Sequence, residues 1–334
     1  MRVGLVGAGR IASIHAETLA GHPDVESVTI FDPIHEAAEA LASKHGARVA
    51  DSDERLLGGV EAVVIASPTD THVEYLIKSA EARLPVFCEK PIALTLEETD
   101  RAIEAVEKAE IPVQIGFQRR FDPGYGAARD LVASGRLGDV LLVTAHTHDP
   151  APPPEEYIAR SGGVFKDMLI HDIDALRFVS GSEVATVYAT GSNLTMPVFE
   201  DHDDLASVAV IAHLNGGALA ILSGSRRDPL GYDVRMEVFG TEDSVAVGLD
   251  PHAPIRSLEE GVPPPVEPVI RGWLDRFQAA YTAEVQAFIE VAAGARKSPC
   301  TPQDARAAIL VAEACRRSAE AKKPVTVDDA ETGW

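Results

Sequence analysis

The chain has 334 residues, is 46% hydrophobic and 25% charged, and carries a formal net charge of -22. That length exceeds what one core ordinarily fills, so two domains of an ordinary globular protein are expected. Repulsion argues against nucleic acid and anionic membrane surfaces as partners, and no apolar run approaches the ~20 residues that a membrane span needs. The cysteines Cys88, Cys300 and Cys315 lack paired spacing. They suit a reducing compartment rather than a disulfide framework or a zinc site. The start of the chain enters a strand pattern with no signal-peptide core, so a cytoplasmic protein is expected.

The first 120 residues alternate short apolar runs with helical patterns. Strands are expected at 3–6, 28–31, 62–66, 86–88 and 113–117. Helices are expected between them, for example at 71–83 and 95–110, the latter opened by a Thr95/Glu98 capping box. This alternation predicts βαβ units on a doubly wound parallel sheet, a Rossmann domain over 1–120.

From residue 121 the texture changes. Pro123 and Gly124 open a helix ending near Gly135, a strand follows at 140–147, and then comes the loop "HDPAPPPEEYIARSGG", too rich in proline for a regular element. A helix spans 165–176. Strands follow at 184–190, 205–214, 218–223 and 234–239, with "NGG" at 215–217 as a hairpin turn. "GVPPPVEP" at 261–268 reads as a loop, before helices at 273–293 and 302–320 and a short strand at 324–327. Residues 121–334 therefore predict an α+β domain with a large open, mainly antiparallel sheet.

"VGLVGAGRIASIHA" is a strand, a glycine turn and a helix start. Gly7 permits the turn, Gly9 lets backbone approach a pyrophosphate, and Ala12 allows close helix–strand packing. A turn that merely needs glycines is the plainer reading, but the βαβ context favours a dinucleotide. Asp32 ends the second strand, 20 residues past Ala12. A carboxylate there accepts from both ribose hydroxyls and repels a 2′-phosphate, which favours NAD over NADP. Alternatively, Asp32 only begins the turn at Pro33.

"FKDMLIHDID" places three carboxylates and a histidine in an apolar stretch. At 100° per residue, Phe165, Leu169, Ile173 and Leu176 form one stripe, while Asp167, His171 and Asp174 stack on another. Asp172 falls outside that stripe. A solvated face that happens to carry a histidine is the competing reading.

"ASPTDTH" at 66–72 and "CEKP" at 88–91 follow strands, where ligands bind in open parallel sheets. Pro91 restricts the backbone that carries Lys90. Together, "GAGRIASIHA", "ASPTDTH", "CEKPIALT", "IGFQRRFDPGY" and "GGVFKDMLIHDID" resemble the Gfo/Idh/MocA oxidoreductases over essentially the whole chain. The resemblance implies hydride transfer between NAD(P) and a sugar or cyclitol, with Lys90, Asp167 and His171 in the active site. It implies NAD contacts from Gly7, Gly9, Arg10, Ile11, Ala12, Asp32, Ser67, Thr69, His72, Glu89 and Lys90. The Lys-Pro bond of the family is often cis, and the same is expected here.

Within the family, the likeness is strongest to enzymes that oxidise inositols. It adds Arg120, His148, Asp149, Asp174 and Tyr232 to Lys90, Asp167 and His171 as substrate-side candidates, with His146 a rival for His148. In this reading His171 is the base, Asp167 orients it, Lys90 stabilises the developing oxyanion, and the nicotinamide accepts hydride. The expected substrate is a neutral polyol and the expected assembly a homo-oligomer, a dimer or a tetramer. The same chemistry on an aldose or anhydrosugar, and a non-catalytic dinucleotide-binding regulator, remain as alternatives. No metal is expected, because "FEDHDD" at 199–204 has no spacing that selects one and reads as a solvated loop. His213 reads as a core histidine, and Met168 and Met196 as packing residues.

Overall fold

A computed structural model describes residues 1–248, 270 and 272–332. The loop expected at 261–268 lies outside the described residues. Two compact units form, residues 1–121 with 279–307, and residues 122–278 with 308–334.

The first unit runs β1 (Arg2–Val6), α1 (Arg10–Gly21), β2 (Ser27–Phe31), α2 (His35–His45), β3 (Arg48–Val49), α3 (Asp53–Leu57), β4 (Ala62–Ile65), α4 (Thr69–Glu81), β5 (Val86–Glu89), α5 (Leu96–Lys108) and β6 (Val113–Gly116). All strands pair in parallel, in the order β3-β2-β1-β4-β5-β6. β4, β5 and β6 are buried at every position, which is why they read as apolar runs without alternation. Thr95 caps α5 by accepting from the Glu98 amide, as expected. The chain order reverses between β1 and β4, and this switch point exposes the carboxyl ends of both strands.

Residues 279–307 pack with this unit, which a single boundary at residue 120 does not provide for. The reason is specific pairing far along the chain. The Gln114 side chain donates to the Glu284 carbonyl at 2.8 Å, the Ile115 amide to the Cys300 carbonyl at 2.9 Å, and the Phe288 ring lies 5.8 Å from that of Phe87.

The second unit comprises α6 (Pro123–Ala133), β7 (Val140–His148), α7 (Glu155–Ile158), α8 (Val164–Asp167), α9 (Ile170–Ser180), β8 (Val184–Ser192), β9 (Ser207–Leu214), β10 (Leu219–Ser225), β11 (Asp233–Gly240) and β12 (Ser244–Val247). After α10 (Trp273–Ala292) and α11 (Pro302–Ala321), which run between the residue sets of the two units, come β13 (Val325–Thr326) and α12 (Val327–Thr332). The seven-stranded sheet has the order β12-β11-β7-β10-β9-β8-β13. Every pairing is antiparallel except β10 with β7. Strict alternation of buried and exposed positions in β9 leaves one face covered and the other open. The β9–β10 turn needs Gly216 and Gly217, at φ +96° and +101°.

Two expectations change here. The loop after β7 contains a turn of helix, α7. The helix expected at 165–176 is interrupted at Met168–Leu169. The Leu169 amide reaches back five residues to the Val164 carbonyl at 2.9 Å, and the Asp172 amide reaches back three to Leu169 at 2.9 Å. This irregular turn separates α8 from α9, and the expected polar stripe is not one solvated face: Asp167 and Asp174 are buried and His171 is half-buried. Phe165, Leu169, Ile173 and Leu176 are all buried.

Candidate functional site

At the switch point, Gly7 has φ +106°, and a Cβ there would lie 2.6 Å from the Ala66 carbonyl oxygen. Only glycine permits both the conformation and the contact. A Cβ on Gly9 would meet nothing within 4 Å, so the approach to the backbone is open. No side chain caps α1 and its first turn holds no acidic residue. Its amide donors and positive dipole end therefore suit a pyrophosphate. Ala12 is fully buried in the sheet-facing core; Arg10 is exposed and Ile11 half-buried. Asp32 accepts from the Ala8 amide through Oδ2 and from the Ile34 amide through Oδ1, both at 2.8 Å. It thus ties the glycine turn to β2 and also begins its own turn. These groups fit a dinucleotide.

The loops after β4 and β5 are braced from below. His72 is buried, with Nδ1 2.8 Å from the Pro91 carbonyl and Nε2 2.9 Å from the Ser67 carbonyl. Burial holds its pKa below the usual imidazole value, against the pull of the two carbonyls. His72 is a brace between the two loops rather than an exposed cofactor group. Ser67 Oγ lies 2.6 Å from Thr71 Oγ1, and Thr69, half-buried, opens α4. The Lys90–Pro91 bond is cis, and Lys90 is partly exposed. Glu89, expected to touch the cofactor, is turned inward instead. It is 7% exposed, with Oε1 2.7 Å from His15 Nε2.

In the second unit, Asp167 is the hub. Its Oδ1 accepts from the Tyr157 hydroxyl at 2.6 Å and its Oδ2 from Arg226 Nη2 at 2.8 Å. Arg226 Nη1 lies 3.7 Å from Asp149 Oδ2. Burial works against the charge on Arg226, but the carboxylates beside it outweigh that and raise its pKa further. His171 is half-buried, the only position between Ile170 and Arg177 of α9 that is not fully buried.

Other substrate-side candidates have protein partners of their own. Asp174 has no exposed surface and lies 3.9 Å from Arg177, because α9 is buried on nearly all sides. Arg120 is committed to Asp304 at 3.1 Å and to the Pro299 carbonyl at 3.2 Å. His148 and His146 share one face of β7, both on Ser223 Oγ, at 3.2 and 2.8 Å. Thr147, between them, points the opposite way and donates to Asp172 at 2.7 Å. The alternation of the strand thus separates His148 from the face that meets α9. Tyr232 is half-buried just before β11. Asp204, expected to be solvated, is buried and accepts from the Val164 and Leu205 amides. Burial pushes its carboxyl up against those bonds. His213 is exposed, since Ala212 and Leu214 take the buried positions of β9.

Sequence reasoning missed Arg226, Tyr157 and Thr147. "SGSRRDP" after β10 offered a signal for Arg226, two adjacent arginines at the end of a strand. Tyr157 sat unremarked in a loop judged only by its prolines.

Residues 1–117 match the oxidoreductase family with an NAD-binding Rossmann fold, and residues 125–246 match the GFO/IDH/MocA C-terminal domain. The chain is 38% identical to an inositol 2-dehydrogenase of Rhizobium meliloti (strain 1021), over 98% of this chain and 99% of that protein. It is similar to the crystal structure of a myo-inositol dehydrogenase from Corynebacterium glutamicum, at TM-score 0.89 and 34% identity, covering 98% of each chain. It is also similar to a scyllo-inositol dehydrogenase from Lactobacillus casei with bound NAD(H) and scyllo-inositol. There the TM-score is 0.86 and the identity 29%, over 98% of this chain and 99% of that one.

Proposed function

Because the chain belongs to the Gfo/Idh/MocA family of oxidoreductases, we propose that it oxidises a secondary hydroxyl of a cyclitol, myo-inositol or an isomer, to the ketone with NAD. The observation that carries this reading is the near full-length likeness to inositol dehydrogenases, one of them with NAD(H) and an inositol bound. NAD supplies the hydride acceptor when bound. The open backbone at Gly9, the uncapped start of α1 and Asp32 hold it.

His171 accepts the hydroxyl proton, since a neutral imidazole is a competent base near working pH. Lys90 donates a hydrogen bond to the oxygen as negative charge builds on it. Asp167 is fixed from both sides by Tyr157 and Arg226, so it meets the substrate as a preset acceptor and costs little reorganisation. The two carboxylates Asp149 and Asp167 outnumber Arg226, which favours a neutral polyol over an anionic sugar. In solution the chain forms a homo-oligomer. The apolar row Tyr188, Ile211 and Ile221, paired side by side on the open face of the sheet, supports that assembly.

The test is a panel of polyols and sugars with NAD, followed by the absorbance of the reduced cofactor. Turnover of myo-inositol or scyllo-inositol above glucose is expected. Preference for glucose over both inositols would move the substrate to the aldoses.

A further inference from the structure

Three ionisable side chains meet inside the first unit. His15 of α1, Glu89 of β5 and Glu284 of α10 are 0%, 7% and 0% exposed. One ligand-type atom from each lies within 4.8 Å of the other two. His15 Nε2 and Glu89 Oε1 stand 2.7 Å apart. Neither carboxyl oxygen of Glu284 has a hydrogen-bond partner among the described residues. The rings of Phe87 and Tyr281 lie edge-on to the His15 ring at 5.1 and 6.3 Å.

The donor set would suit a divalent ion by type. The spacing does not favour one: two ligands held at ~2.1 Å from a shared ion stand about 3.0–3.4 Å apart. The His15–Glu89 distance of 2.7 Å is that of a charge-assisted hydrogen bond. Glu284 is a different case. A buried carboxylate with no donor is costly, and such a group takes up a proton instead. Burial pushes the Glu284 carboxyl well above the usual range, and Glu89 pushes it the same way.

The cluster connects to chemistry through Glu89. Its Oε2 accepts from the Lys90 amide at 3.3 Å. On the neighbouring strand, a Cβ at Gly116 would stand 3.1 Å from that oxygen and 2.8 Å from Phe87. Glycine there leaves room for the inward carboxylate.

We propose that His15, Glu89 and Glu284 form a positioning unit for Lys90, in which a neutral Glu284 closes off a buried His15–Glu89 hydrogen bond and Glu89 fixes the backbone that carries the lysine. The proposal rests on the reading that Lys90 acts on the substrate hydroxyl. None of the three touches substrate. They act through the lysine.

Two readouts need no substrate. Infrared spectra of the whole protein at neutral pH should show a protonated carboxylic-acid carbonyl band that is lost in Glu284→Gln. Trace acetylation, read by mass spectrometry as the rate at Lys90 relative to exposed Lys44, should change about threefold or more in Glu89→Gln and in His15→Phe. His15→Gln, which can still donate to Glu89, should restore it.

With an inositol and NAD, Glu89→Gln and His15→Phe should each lower kcat about tenfold or more, with NADH binding within about threefold of wild type. The double variant should be no worse than the worse single one, because both act through one link. Absence of the carbonyl band in the wild type would overturn the neutral Glu284. An unchanged Lys90 labelling ratio in folded Glu89→Gln would overturn the positioning role. A stoichiometric divalent ion lost in Glu284→Gln would overturn the unit in favour of a metal site. Wild-type protein that turns over no polyol would remove the functional reading, while the band and the labelling ratio still decide this one.

Discussion

Arg226 donates from Nη2 to Oδ2 of Asp167 at 2.8 Å, and its side chain is 4% exposed. Removing one partner of a buried ion pair strands the other, at a cost of about 3–5 kcal/mol. Arg226→Gln should therefore lower kcat about 10²-fold and reduce the thermal midpoint. Arg226→Lys should recover the midpoint in part but not the rate, because the planar fork that also faces Asp149 is lost. Tyr157→Phe removes the hydrogen bond to the charged Asp167, worth about 1.5–3 kcal/mol, and should cost about tenfold in kcat/KM. Kinetics beside calorimetry on the three variants separates these outcomes. Wild-type kcat in Arg226→Gln would show that Asp167 needs no fixed partner.

Asp32 has two tasks, and variants can part them. Its carboxylate ties the Ala8 amide, and under the proposed function it also accepts from the cofactor ribose. Asp32→Asn keeps a carbonyl acceptor for that amide but loses the charge that repels a 2′-phosphate. We expect NAD to be preferred over NADP in the wild type, and the ratio of kcat/KM values to move about tenfold or more toward NADP in Asp32→Asn and Asp32→Ser. A wild-type preference for NADP would refute the ribose assignment.

Much of this was legible, and the gaps have physical causes. The glycine turn lies in a contiguous motif whose local backbone carries its meaning, whereas the cis Lys90–Pro91 bond was expected only from the resemblance to the family. Buried parallel strands also announce themselves as short apolar runs. An ideal period over residues 165–176 cannot foresee the Leu169–Val164 bond that interrupts the helix, nor that Asp167 and Asp174 are buried with the apolar residues around them. Arg226 lies 59 residues from its partner, and Glu284 is 195 residues beyond Glu89. No periodicity or spacing rule reaches pairings that only the tertiary fold creates. His213 was misread as core because an apolar strand suggests burial until its alternation is counted.

Lys90 and His171 should each be needed for chemistry rather than for holding the cofactor. Lys90→Ala and His171→Ala are expected to lower kcat about 10²-fold or more, the usual scale for losing a charge stabiliser or a positioned base. NADH binding, followed by fluorescence titration, should survive both changes. Near wild-type turnover in His171→Ala would leave α9 as an ordinary packed helix.

Glu313 on α11 pairs with Lys166, the residue before Asp167. It lies 3.1 Å from Lys166 and 2.6 Å from Arg316. Burial works to raise its pKa, but Arg316 and Lys166 outweigh it and hold the group at about 2. A lowered folded-state pKa stabilises the fold above the unfolded value of about 4.3, and that contribution fades as the pH falls toward 2. Glu313→Gln should thus cost about 1–2 kcal/mol at neutral pH after allowance for solvent screening, with the deficit shrinking below pH 4. Urea midpoints for both proteins at several pH values give the comparison. A deficit that stays constant down to pH 2 would assign the effect to packing alone.

The charge around Asp167 predicts discrimination against phosphate esters. Within the second unit, Asp149 and Asp167 carry two negative charges beside the one positive charge of Arg226, and Lys90, set on the reacting hydroxyl, acts alike on a polyol and its phosphate ester. At an effective dielectric of about 20, one unbalanced unit-charge pair ~7 Å apart costs about 2 kcal/mol, and every ~1.4 kcal/mol is tenfold in a rate or binding constant. Even one of the two charges of a phosphate should therefore lower kcat/KM about 30-fold relative to the parent polyol. Glucose against glucose 6-phosphate, and myo-inositol against its monophosphate, provide the pairs. The penalty should shrink as salt screens the charges, which a purely steric exclusion would not do. Asp149→Asn removes one negative charge without touching Asp167 and should recover about tenfold on the phosphate esters while leaving the neutral polyols less affected. Better turnover of the phosphate esters than of the parent polyols by the wild type would refute the electrostatic account of the substrate.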